Sequence, residues 1–533
     1  MNTILLLASV VIIACILANR ISNRFGMPML LAFIALGMVF GSDGLFKIPF
    51  ANYTAAEQIC SIALIFIMFY GGFGTKLSEA KPVALKAALL SSAGVVLTAG
   101  LVGLFCHFVL RFELLESFLI GAVLGSTDAA SVFSILRSKK LNLKYKTASL
   151  LEIESGSNDP FAYMLMVIIL SIMQGKSSTG AILYMVVAQL LFAAIIGVAI
   201  AFAAGWFLRH FHFAASGFDM AFVVAVAVLS YALPTALGGN GYLSAYIVGI
   251  LLGNQEIPNK KALVHFFDGI TGLTQMLIFF LLGLLAFPSQ LPEILLPALG
   301  IALFLTFIAR PVVVALLMTP FRAKFHQQIV ISWAGLRGAA SIVFAIMATV
   351  SDAATSNDVF HIAFFVVLFS IALQGSLLPW VSRKAGMLDD AGNVMKTFTD
   401  YADESGVQFL RFTIGAAHPW GGKSIRDISL PPDMLLAAVF RGRRTIIPRG
   451  DTVIEQGDTV ILGAPALREC RDVALTETAL EAENPWCGKT IASLGLPEDV
   501  LILLIKRGEQ VIIPVGSTVL QKEDILVMNQ VEE

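Results

Sequence analysis

The run Glu154-Ser155-Gly156-Ser157-Asn158-Asp159-Pro160 puts two carboxylates into a segment, 147–173, that is otherwise apolar. A carboxylate at bilayer depth costs about 2.5–3.5 kcal/mol on insertion scales, so such groups mark ion or proton paths. On a helix, Ser155 and Asp159 share a face, and so do Glu154 and Asn158. The segment therefore offers an acidic, oxygen-rich stripe that suits a small dehydrated cation.

Composition sets the class. Of 533 residues, 57% are hydrophobic and only 14% charged, which predicts an α-helical polytopic membrane protein. The net charge of −1 gives no footprint for a nucleic acid polymer. Cys15, Cys60, Cys106, Cys470 and Cys487 form no C-x-x-C pair and read as small core residues. Met1 to Asn19 lacks a basic leader and a small-residue cleavage site, so it reads as a first helix rather than a signal peptide. Charge density rises after Arg383. The expected division is a membrane domain over 1–385, a linker over 386–405, and two tail domains over 406–465 and 472–533. Asp389, Asp390, Asp400, Asp403 and Glu404 make the linker acidic and solvated.

About thirteen apolar segments precede Arg383, running 2–19, 27–42, 56–73, 83–110, 115–136, 147–173, 180–208, 218–234, 241–254, 264–286, 292–318, 327–350 and 359–382. Those at 27–42 and 241–254 are short and carry glycines, so bends or breaks are expected there. Alternate loops hold the cations: Arg20 and Arg24; Lys76, Lys81 and Lys86; Arg137, Lys139, Lys140, Lys144 and Lys146; Arg209; Lys260 and Lys261; Arg322 and Lys324; Arg383 and Lys384. The opposite loops hold only Lys47, Arg111 and Lys176. This asymmetry predicts an outside N-terminus and a cytoplasmic tail in the cell (inner) membrane. His210 and His212 lie near a cytoplasmic boundary and read as interfacial packing, with pH sensing as the alternative.

Three other segments carry polar groups. Gly125-Ser126-Thr127-Asp128 weakens the fifth segment and exposes carbonyls, which is tolerable only where it lines a cavity. Arg310-Pro311 and Trp333-Ala334-Gly335-Leu336-Arg337-Gly338-Ala339 bring two arginines to membrane depth. A buried arginine needs an acidic partner. Glu154 is the candidate for Arg310 or for Arg337, leaving Asp159 free to titrate. On hydropathy alone, the fifth and twelfth segments are expected as counterparts in two inverted halves.

These stretches, with Pro28-Met29-Leu30-Leu31 and Leu36-Gly37, resemble the monovalent cation:proton antiporter-1 family. The resemblance implies thirteen spans with inverted repeats and broken crossing helices, a homodimer, and a core domain that moves against a dimerisation domain. It implies that Asp159 binds either a proton or a cation. Thr127 and Ser155 would supply neutral oxygens, Asp128 would help complete the site, and Asn158 would hold its geometry. Glu154, Arg310 and Arg337 would fix the structure around it. The Asn158-Asp159 pair is similar to the electroneutral exchangers, since electrogenic relatives carry Asp-Asp. One exchangeable carboxylate releases one proton for each monovalent cation that enters.

The tail repeats itself at an offset of 66 residues: Trp420-Gly421-Gly422-Lys423-Ser424-Ile425 matches Trp486-Cys487-Gly488-Lys489-Thr490-Ile491. The register continues through Leu430-Pro431 and Leu496-Pro497, Arg441-Gly442 and Arg507-Gly508, and Asp458 and Asp524. Each copy is expected to be a small α/β unit. Each resembles the C-terminal (TrkA-C-like) subdomain of potassium-conductance regulators. No G-x-G-x-x-G follows a strand, which disfavours NAD or ATP binding of the Rossmann type. The resemblance implies a regulatory module that dimerises. A nucleotide such as a cyclic dinucleotide is its candidate ligand, and a clamp without ligand is the alternative. No cofactor is required.

The leading expectation is a secondary antiporter, not an enzyme, exchanging K+ or Na+ for H+; the tail favours K+. A ligand-gated cation channel is a different class, but no T-V-G-Y-G filter is present. An intramembrane aspartyl protease on Asp128 and Asp159 is a third, disfavoured by the Asn-Asp-Pro and Gly-Leu-Arg-Gly contexts.

Overall fold

The computed structural model describes residues 2–25, 28–50, 52–128, 131–132, 135–136, 141, 143–175, 178–211, 217–388, 407–416, 418–442, 444–465, 474–480, 484–496, 500–508 and 510–530. The acidic linker residues, Arg137, Lys139, Lys140, Lys176, His212 and Cys470 lie outside them. The chain divides into two units, Met1–Gly392 and Asn393–Glu533.

Every apolar segment expected from the sequence contains helix. Among the described residues, eight helices are long and apolar enough to cross a membrane, including Tyr53–Gly74, Thr147–Met173 and Thr179–His210. Shorter apolar helices stand beside them at Ser9–Ala18, Met29–Phe40, Leu114–Val123, Gly241–Gly253 and Ala339–Val350. Their shared core buries Val123, Ile278, Phe279, Phe344 and Val366.

The breaks fall only partly where glycine content suggests. Met29–Phe40 and Gly241–Gly253 are each one unbroken helix, so neither short segment carries a break. Their glycines are contact points instead. A methyl at Gly37 would fall on the Phe280 carbonyl, and one at Gly249 on the Phe69 carbonyl. Absent side chains let the backbones touch, as small residues do between membrane helices. Gly249 against Phe69 and Gly253 against Phe73 set the Gly241–Gly253 helix parallel to Tyr53–Gly74.

True interruptions occur at 124–128, after the Leu114–Val123 helix, and at 334–338, between Phe325–Trp333 and Ala339–Val350. Two wide π-helical turns, Leu305–Ala309 and Ser370–Gly375, precede Pro311 and Pro379. Proline lacks the N–H that would serve the carbonyl one turn back, and the wider turn absorbs the mismatch.

The tail unit holds two sheets of four strands. Strands β1 (Val407–Thr413), β2 (Leu435–Arg441), β3 (Arg444–Ile446) and β4 (Thr459–Pro465) lie in the order β1-β4-β2-β3, all antiparallel. Strands β5 (Ala474–Ala479), β6 (Val500–Arg507), β7 (Gln510–Ile512) and β8 (Ile525–Gln530) repeat it as β5-β8-β6-β7. The bulge between Leu436 and Ala438 recurs between Ile502 and Leu504. The expected α/β units are thus β domains. Among the described residues the helical content is one 3-10 turn per copy, Ile425–Asp427 and Ile491–Ser493. Glycine and proline punctuate the connections too densely for a helix to nucleate. Gly442 and Gly508 take positive φ, 59° and 58°, in the two β-hairpins.

One ion pair recurs in both copies. Arg441 donates from Nε (2.9 Å) and Nη2 (2.8 Å) to the buried Asp458, and Arg507 does the same to Asp524 at 2.7 Å from each nitrogen. The hydrogen-bonded guanidiniums hold both carboxyls below the usual carboxylate range. A depressed folded value contributes stability that is complete above the ordinary range and is lost as pH falls through the folded value. We therefore expect Asp458→Asn and Asp524→Asn each to destabilise its own sheet by about 1–3 kcal/mol at pH 7. The difference from wild type should vanish in strong acid. Hydrogen exchange of the strand amides in the full chain, followed against pH, measures this; unchanged protection at pH 7 would contradict it.

Candidate functional site

The Thr147–Met173 helix buries Glu154, Ser155, Asn158 and Asp159 on its way through the core. Both interruptions meet there. The backbone N–H of Asp128 donates to the Leu336 carbonyl at 2.8 Å, so one break is tied to the other. A methyl at Gly338 would collide with the Asp128 carboxylate, which explains why glycine stands there.

The two carboxylates of the site helix have different partners. Glu154 is fully buried and forms a 2.5 Å ion pair with Arg310 Nη2. This selects between the two arginines left open by the sequence. Arg337, also fully buried, does something else: its Nη1 donates to the carbonyls of Gly125 (2.9 Å) and Ser126 (2.6 Å). Those carbonyls follow the end of the Leu114–Val123 helix, where the backbone has lost its intrahelical donors and the helix dipole is negative. Arg337 is held in turn by its own N–H, which donates to Ser370 Oγ at 3.0 Å. Ser370 donates to Gln374 Oε1 at 2.6 Å, inside the π-helical turn. The Trp333 indole donates to the Gln374 carbonyl at 3.1 Å.

Asp159 accepts a hydrogen bond from Ser126 Oγ. Among the described residues, no lysine, arginine or histidine is ion-paired with it. Beside it, Thr127 Oγ1 and Ser155 Oγ are 2.9 Å apart, and Asn158 Nδ2 donates to Thr127 Oγ1 at 2.5 Å. Asn158 Oδ1 is buried with no hydrogen-bond partner among the described residues and remains available as an acceptor. The Asp128 carboxylate accepts from Ser131 N–H (3.2 Å) and from Ser131 Oγ, as an N-cap for the chain beyond the break.

The site is thus a carboxylate ringed by neutral oxygens of Ser126, Thr127, Ser155 and Asn158. Hydroxyls and amide oxygens offer lone pairs in place of a cation's water. The structure brings together all eight residues named from the sequence. It adds Ser126, Ser131, Ser370 and Gln374. Ser126 stood within the quoted Gly-Ser-Thr-Asp run; Ser370 and Gln374 carry no local signal.

Known proteins resemble both units of the chain. The family model for the sodium/hydrogen exchanger, transmembrane, matches residues 7–384, and that for the TrkA-C domain matches 409–466 and 475–528. The K(+)/H(+) antiporter NhaP of Alkalimonas amylolytica is 35% identical over 470 residues, covering 86% of this chain and 81% of that protein. The K(+)/H(+) antiporter NhaP2 of Shewanella baltica is 31% identical over 460 residues, covering 85% of this chain and 79% of its own length. The solved sodium proton antiporter MjNhaP1 from Methanocaldococcus jannaschii shares the fold with a TM-score of 0.62 at 23% identity, over 70% of this chain and 99% of that one. A polytopic helical unit with two crossing breaks, a buried carboxylate site and paired TrkA-C domains leads to one conclusion: the chain belongs to the sodium/hydrogen exchanger family and is a secondary cation/proton antiporter, not an enzyme.

Proposed function

We propose that the membrane unit exchanges K+, and Na+ less selectively, for H+ at Asp159. The observation that carries this reading is the unequal fate of the two buried carboxylates on the site helix. Glu154 has its charge matched by Arg310, whereas Asp159 has only a hydroxyl donor and a ring of neutral oxygens. One carboxylate is left to trade a proton for a cation, and the exchange is electroneutral. Arg310 and Arg337 fix the geometry, Asn158 positions Thr127, and Asp128 orders the backbone beyond the break. The relatives named as K(+)/H(+) antiporters, at 35% and 31% identity, support K+ over Na+.

The finer architecture follows the sequence. The unit takes thirteen spans in two inverted halves, with the N-terminus outside and the tail in the cytoplasm. It forms a homodimer, and alternating access carries the site between faces. The TrkA-C domains regulate this cycle, with a nucleotide as the candidate ligand. A conductive channel would instead give single-channel currents.

Liposomes containing a pH dye test the reading. K+ added against a proton gradient should produce a dye response that Asp159→Asn abolishes. The response should not change with imposed membrane potential. Intact exchange in Asp159→Asn, or a potential-driven rate, would refute it. A response to Na+ alone would reverse the ion preference.

The clamp makes a separate prediction. Glu154→Gln strands the Arg310 charge and should destabilise the unit by about 3–5 kcal/mol. The double variant Glu154→Leu/Arg310→Met should recover most of that, because a matched apolar pair replaces a matched ionic one. Thermal unfolding in detergent reads both; equal stability of the two variants would show that the pair is not a clamp.

A further inference from the structure

A second polar array touches the site helix, and the exchange chemistry described so far makes no use of it. The Gly241–Gly253 helix carries Tyr242 and Tyr246 one turn apart, on one face. Tyr246 lies against Gly156, where any side chain would strike its ring. Tyr242 meets Tyr163 edge-on, with ring centroids 5.1 Å apart. Tyr163 follows Asp159 by four residues on the same helix and therefore shares its face. The two helices consequently run antiparallel, and Tyr242 sits on the side of Asp159 away from Gly156.

Tyr242 is fully buried, and its ring also packs on Tyr231 at 4.8 Å. Its hydroxyl lies beside those of Ser61 and Tyr231 without closing a hydrogen bond to either. Ser61 Oγ donates to Glu57 Oε1 at 3.0 Å, one turn nearer the start of the Tyr53–Gly74 helix. Glu57, Ser61, Tyr242, Tyr231 and Tyr163 therefore spread one oxygen-bearing strip over four helices, and it reaches the site helix at Tyr163, one turn beyond Asp159. Phenylalanine would pack the same rings without burying an unbonded hydroxyl, which is unfavourable. Packing alone does not account for the oxygens.

We propose that Glu57 and these hydroxyls form the proton access path to Asp159 from the membrane face on which the Tyr53–Gly74 helix begins. Glu57 collects the proton, and Tyr242 is the central station. A hydroxyl both donates and accepts. When the hydroxyls turn into hydrogen bonds with one another, each oxygen takes a proton from one neighbour and releases its own to the next, so the strip is restored when they rotate back and nothing is oxidised or reduced. The residues act through Asp159 and are positioning residues. The proposal rests on the reading of Asp159 as the exchanging carboxylate.

The test uses the full chain in right-side-out and everted membrane vesicles, with K+ as the exchanged ion. The readout is the H+ concentration giving half-maximal exchange at each face. Glu57→Gln and Tyr242→Phe should each raise it about three- to tenfold at the Glu57 face, the effect of one lost relay station, and leave the other face within about twofold. Wild-type values in both variants, or equal shifts at both faces, would overturn the path. Glu57 is partly exposed at a helix start, so its variant carries the test even if Tyr242→Phe expresses poorly. Asp159→Asn is assayed alongside. Retained exchange there refutes the carboxylate itself, whereas an inactive Asp159→Asn with unshifted side-specific values refutes the path alone.

Discussion

The fully buried guanidinium of Arg337 is the constraint on which the site depends. Breaking a helix inside a membrane exposes carbonyls that no water can serve. Arg337 supplies donors to two of them, at Gly125 and Ser126, while its own N–H is anchored by Ser370. The break in one helix is thus stabilised by a residue of the other break. The Asp128 N–H to Leu336 carbonyl bond runs between the same two breaks. Each interruption is tolerable because the other is present. Their crossing aims the hydroxyls of Ser126 and Thr127 at the Thr147–Met173 helix.

Charge accounting in this interior follows from the same economy of donors. Two buried arginines face two buried carboxylates on the site helix, but they do not form two ion pairs. Arg310 matches Glu154, while Arg337 serves backbone carbonyls. That arrangement leaves Asp159 hydrogen-bonded by a hydroxyl and otherwise surrounded by oxygens. The π-helical turns contribute at a distance. One carries Ser370 and Gln374 into the anchor of Arg337, and the other leads directly into Arg310.

The tail shows how strongly a repeat in sequence dictates a repeat in structure. Strand order, bulge position, hairpin glycine and Arg–Asp pair all recur at the 66-residue offset. The expectation of α/β units failed because connections punctuated by glycine and proline do not hold a helical turn series. The antiparallel sheets satisfy their backbone groups between strands instead.

Much of this protein is legible in its residues taken in order. Apolar length locates the helices, and the cost of intramembrane carboxylates and arginines singles out Glu154, Asp159, Arg310 and Arg337. The Gly-Ser-Thr-Asp and Gly-Leu-Arg-Gly runs mark the breaks, because both weaken a helix locally. Three features depended on contacts between distant segments. The partner of Glu154 was ambiguous, since either arginine satisfies the charge and only packing brings Arg310 within reach. The glycines of Met29–Phe40 and Gly241–Gly253 look like breaks in one dimension, yet they are contacts between unbroken helices. Ser126, Ser370 and Gln374 carry no charge to advertise them, and their importance appears only when the packing of separate helices places Ser126 beside Asp159 and Ser370 and Gln374 beside Arg337. Local chemistry therefore determined which groups must be compensated, and tertiary structure decided by whom.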